Sequence, residues 1–145
     1  MQIYSIFTTQ ILTNTLKMQK PKKCISVEEA RKEQDEWVRT RGKDIREAEG
    51  YEDTREFWYS LDELQEYLDY VREKSREQGV EKAGIRFYLG AYPKTKEKKS
   101  YTTMFLSPTK ETGGETETTK EDSDPNNYEI EPMNIITSGQ PPITY

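Results

Sequence analysis

The chain has no histidine at any position. With it go Ser-His-Asp and Cys-His nucleophile systems, H-E-x-x-H zinc sites and the side chain that most often moves protons near neutral pH. Cysteine occurs once, at Cys24, so an internal disulfide is impossible and thiolate-rich zinc or iron–sulfur sites within one chain are excluded. A lone thiol without a disulfide framework points to a cytoplasmic protein. Nothing approaches the roughly 20 consecutive apolar residues needed to span a membrane, so no membrane role is expected. No glycine-rich phosphate loop is present, since "ETGGET" lacks the GxxxxGK[ST] pattern. "DSDPNN" holds oxygen ligands without the spacing or terminal glutamate of an EF-hand. The residues therefore predict no metal, no cofactor and no catalytic group, and they point to no small-molecule substrate.

What the chain does have is charge. Charged residues make up 34% of the 145 and hydrophobic ones 32%, too polar a balance for the whole length to pack. The length suits one domain. A net charge of −5 argues against nucleic acid, because phosphate repels an acidic chain unless its lysines gather on one face. The lysines do cluster, at 17, 20, 22 and 23 and again at 94, 96, 98 and 99, but near the start and in a turn. Thr8, Thr9, Gln10, Thr13 and Asn14 break the apolar run that a secretory signal needs. Residues 1–24 are expected to form a flexible segment, with Met18 an alternative start, followed by a single small domain over 25–145. Inside it, residues 109–127, "TKETGGETETTKEDSDPNN", have no apolar side chain to offset ordering entropy and predict a disordered insertion.

Ser26 and Glu29 have the spacing of a capping box, which predicts a helix from Val27. Ala30, Gln34, Trp37, Val38 and Arg41 then share a face with Val27, and Gly42 is placed to end or bend the helix. Ser60 and Glu63 repeat the spacing, and Leu61, Leu64, Tyr67, Leu68 and Val71 form the stripe of a second helix closed by a left-handed Gly79. "GIRFYLGAYP" predicts a strand over 84–92, with Ile85, Phe87, Leu89 and Ala91 on one face and Arg86, Tyr88, Gly90 and Tyr92 on the other. The first face is expected to be core, shielded by the stripe that starts at Leu61. "PKTKEKK" reverses the chain into a second strand over 100–107, and 56–59 and 128–131 are candidates for further strands. The fold class is α+β: two main helices packed on a small, mainly antiparallel sheet, with irregular terminal segments.

Taken in order after "ISVEEA", the stretches "WVRTRG", "EDTREFWYSLDELQEYLDYV", "GIRFYLGAYP" and "SGQPP" resemble a family of short proteins from Bacteroidetes bacteria. The likeness covers about residues 18–145. It implies a bacterial source and a compact domain, and it carries over no catalytic residue.

Cys24 follows Lys22 and Lys23 and precedes a helix N-terminus, both of which favour a thiolate, yet without a histidine partner it reads as an incidental thiol. Glu63 with Glu66, or Asp62 with Glu66, share a helix face, where a charge-rich surface is ordinarily just solvated. Arg86, Tyr88, Tyr92 and Tyr101 form the candidate contact surface, an aromatic patch with one cation of the kind enriched at protein contacts. If the tail or the Trp58–Tyr59 stretch closes over that face, the same residues are a second packing layer. The expected function is a non-enzymatic protein-interaction or self-assembly module, with a protein partner or a second copy as its ligand. The alternative is a small acidic inhibitor that uses Asp62, Glu66, Asp69 and Glu73 against a basic partner.

Overall fold

The computed structural model describes residues 18–111, 125–134, 142, 144 and 145. Both capping boxes form. Ser26 Oγ accepts from the Glu29 N–H at 3.1 Å while Glu29 Oε2 accepts from the Ser26 N–H at 2.9 Å, opening helix α1 (Val27–Trp37). Ser60 and Glu63 make the same exchange at 3.0 and 3.1 Å, opening the helix over Leu61–Glu77.

Gly42 does not end the helical run. The chain widens through a π-helical turn, Val38–Gly42, and runs on as α2 (Lys43–Glu49); the later helix is therefore α3. The indole of Trp37 lies against Gly42, where a Cβ would sit 3.0 Å from the ring, so the missing side chain makes room for the aromatic. The stop comes at Gly50, which takes the left-handed conformation at φ 78°. Gly79 does the same after α3, at φ 74°.

Among the described residues three antiparallel strands form one sheet in the order β1 (Ala83–Ala91), β2 (Thr102–Lys110), β3 (Met133–Asn134). The expected hairpin is present, with Ala83 opposite Lys110, Phe87 opposite Leu106 and Ala91 opposite Thr102. The other two strand expectations do not hold. Residues 56–59 carry only a single bridge position at Phe57, and 128–131 make a turn whose Ile130 N–H reaches the Asn127 carbonyl at 3.3 Å, so the third strand starts two residues later. Both ends of the segment expected as a disordered insertion are structured. Thr109 and Lys110 belong to β2, Asn127 is buried, and Thr109 bridges Asn126; residues 112–124 lie outside the described residues.

Pro108 sits inside the middle strand, where proline normally costs a ladder bond. Its place in the register explains the tolerance. The bonds that extend the β1–β2 ladder, Tyr92 N–H to Tyr101 carbonyl and Glu111 N–H to Lys82 carbonyl, fall on even-numbered residues of the first strand. By alternation Pro108, opposite Ile85, turns its backbone away from β1. Its carbonyl there accepts from the Asn127 N–H at 2.7 Å, and no N–H is required of it.

The core centres on β2. Leu106 is 0% exposed and packs with Tyr67 and Val71 of α3 and with Ile130, ringed by Phe57, Tyr59, Leu64, Ile85, Met104 and Met133. One expectation fails here. Of the face Ile85–Phe87–Leu89–Ala91 only Ile85 reaches the core; Phe87 is 60% and Leu89 72% exposed, Ala91 is exposed, and Leu61 at the start of α3 is 86% exposed. The reason is position. β1 is the outer strand of the sheet, and the buried residues of α3, Tyr67 and Val71, gather around Leu106, Ile130 and Ile85, which leaves Leu61 at one end of the helix and Phe87 and Leu89 further along β1 uncovered. No helix among the described residues is long and apolar enough to cross a membrane.

Candidate functional site

The four residues singled out from the sequence divide into two groups. Arg86, Tyr88 and Tyr92 share a face with Thr103, Phe105 and Asn134, because directly opposed residues of an antiparallel pair point the same way. Asn126 closes over the first two. Its Oδ1 accepts from Arg86 Nη1 at 2.7 Å and its Nδ2 donates to the Tyr88 hydroxyl at 2.7 Å, while the Tyr88 ring stacks on Phe105 at 5.2 Å. The Asn126 bond, and then Arg86, hold the Tyr88 phenol below its ordinary pKa, since both favour the phenolate. Tyr92 lies across the strand to Thr103 Oγ1 at 3.1 Å and Asn134 Oδ1 at 3.2 Å. Arg86 and Tyr88 are half-buried under these bonds, and Tyr92 stays 45% exposed.

Tyr101 stands apart, edge-on to Tyr51 at 5.0 Å. Tyr51 donates to the Ser100 carbonyl at 2.9 Å, and burial raises its pKa, with Glu49 and Asp53 adding to the shift. Beside it the buried Asp53 carboxylate accepts from the Thr102 N–H at 2.8 Å, from the Thr102 hydroxyl and from the Thr54 N–H at 2.9 Å. Thr102 pairs with Ala91 at a position whose backbone faces away from β1, on the side where β3 pairs further along β2, so Asp53 supplies the acceptor that a strand partner would otherwise provide there. The signal for it is the Asp-Thr pair in "EDT", a side chain suited to bonding nearby backbone.

The surface that remains available is the outer edge of β1. Even-numbered residues turn their N–H and C=O groups toward β2, so those of Ala83, Ile85, Phe87, Leu89 and Ala91 point outward, and no strand pairs with them among the described residues. The edge is nine residues long, has no proline, and carries one charged side chain, Arg86. Proteins ordinarily blunt such an edge with proline, lysine or a bulge. Here the lysines stand in the turn beyond it, at 94, 96, 98 and 99. Alternation alone places Phe87 and Leu89 with the core residues, and no local pattern marks β1 as the outermost strand.

Leu89 also lines the wall of an open groove of about 680 Å³ between the first helical rod and the sheet, together with Trp37, Ile45, Phe57 and Arg55. Of the stripe predicted for α1, Ala30, Gln34, Trp37 and Arg41 line this groove, and none of the stripe is fully buried. Arg55 holds Glu52 at 3.8 Å and Thr144 Oγ1 at 3.3 Å.

The acidic face of α3 is less acidic than its sequence. Asp69 accepts from Gln65 at 2.9 Å and pairs with Arg72 at 3.9 Å, and Glu73 pairs with Arg76 at 2.6 Å. Cys24 is exposed near the start of α1. No protein-family model matches this chain, and neither the curated proteins nor the solved structures contain a match to it.

Proposed function

We propose that this chain is a non-enzymatic protein-interaction module whose contact surface is the outer edge of β1. The observation that carries this reading is a nine-residue strand with an open backbone edge and two large apolar side chains, Phe87 and Leu89, bare beside it. An extended partner segment would take up the outward N–H and C=O groups and cover both side chains, the mode by which sheets add a strand from outside. Arg86 and Tyr88, on the other face of the strand, are engaged by Asn126 and back the strand from that side. The acidic-inhibitor alternative loses support, because two of its four carboxylates are paired within α3.

A photo-cross-linking side chain placed at position 87 or 89 tests the reading in the native cell. It should give one discrete adduct, to another copy or to another protein, that the same group at exposed Glu28 or Tyr128 does not give. Equal labelling from all four positions, or none from 87 and 89, would remove the edge as the contact surface.

A further inference from the structure

We infer that the partner for this edge is a second copy of the chain, paired antiparallel through β1 about a two-fold axis at Phe87. The inference rests on the interaction reading above and names its ligand.

The sequence of β1 is complementary to itself when reversed. With the axis at Phe87, Phe87 meets Phe87 of the partner subunit, Leu89 meets its Ile85, and Ala91 meets its Ala83, all on the apolar face. On the other face Arg86 lies opposite Tyr88 of the partner subunit, and the two strand glycines, 84 and 90, oppose each other across the copies. No like charges face one another. The residues brought together by this register are the odd-numbered ones, whose backbone groups point outward, so every pair from 83–91 to 91–83 closes a hydrogen-bonded ring.

Neighbouring registers are poorer. Moving the axis to Arg86 sets two guanidinium groups directly opposite, and moving it to Tyr88 loses one pair of the five. Beyond the strand the Phe87 register carries the basic turn alongside the start of the second copy's β1. Pro93 falls opposite Glu81, which brings Lys94 beside that carboxylate. Isologous contacts of this kind close on themselves, so two copies form a continuous six-stranded sheet with no further growth at β1.

Sedimentation velocity on the full chain between about 1 μM and about 1 mM should show a monomer–dimer equilibrium. Phe87→Glu and Phe87→Lys each place like charges across the axis and should each weaken dimerisation by about tenfold or more, while an equimolar mixture of the two restores a dimer. Phe87 is solvent-exposed, so both variants should keep the circular dichroism of the parent. Amide exchange gives an independent readout. The N–H groups of Ile85, Phe87 and Leu89 should become protected as concentration rises. A chain that stays monomeric throughout, variants that dimerise like the parent, or a folded mixture that fails to recover the dimer would each overturn self-pairing. A monomeric chain that still cross-links from position 87 to a different protein would overturn the self-pairing alone and leave the interaction reading standing.

Discussion

Leu106 and Leu89 provide a matched pair for testing where the core lies. Both are leucines on the same face of neighbouring strands, and the alternation of the sequence treats them alike. The structure does not: Leu106 is 0% exposed under Tyr67, Val71 and Ile130, and Leu89 is 72% exposed at the outer strand. Leu106→Ala removes fully buried methyl groups and leaves a cavity walled by α3 and the 130 turn, so it should cost about 2–5 kcal/mol. Leu89→Ala removes little buried area and should cost less than about 1 kcal/mol. Urea unfolding of both variants and the parent reads this directly, with the midpoint shifting at unchanged slope. The experiment belongs at low protein concentration, where pairing between copies adds nothing to the stability of Leu89. Equal losses for the two variants, or a larger loss at Leu89, would refute the placement of β1 outside the helix cover.

Three further consequences follow from named contacts. Asp53→Ala deletes an acceptor for two backbone N–H groups and a hydroxyl in a buried setting and should cost about 2–3 kcal/mol by the same urea assay; a loss within error would mean that the carboxylate does not hold β2. Asn126→Ala removes the donor that favours the Tyr88 phenolate, so the Tyr88 pKa should rise toward its ordinary value in a phenolate absorbance titration, and an unmoved titration would contradict the clamp. Tyr67, whose hydroxyl donates to the Glu131 carbonyl at 2.9 Å, is pushed up to about 12 chiefly by burial. Unfolded tyrosine ionises near 10, so its contribution is complete below about pH 10 and is lost as pH rises through about 12. Tyr67→Phe should flatten the fall in urea midpoint over that window, and an identical fall in both proteins would contradict it.

The elements with local causes were legible in the sequence. Two serine–glutamate pairs three residues apart fixed both helix starts, and a polar turn between two aromatic-rich runs fixed the hairpin. What local pattern cannot carry is the order of strands. Alternation sorts Ile85, Phe87 and Leu89 from Arg86 and Tyr88, and that sorting holds, but burial depends on where α3 lands, and it lands on Leu106. The candidate surface was legible to the same degree. Arg86, Tyr88 and Tyr92 do share a face, while Asn126, which closes it, comes from a stretch whose composition reads as solvated chain. Tyr101 continues the register of β2 yet turns to Tyr51, a partner 50 residues earlier that no periodicity connects to it.

The most direct measurement of the central claim is residue-resolved amide exchange across β1 in dilute solution, where single copies dominate. The open edge predicts an alternating record: Arg86, Tyr88 and Gly90 exchange slowly because they bond to β2, and Ile85, Phe87 and Leu89 exchange fast. Uniform protection along the strand at that dilution would show that the edge is already covered within one chain and would contradict the account.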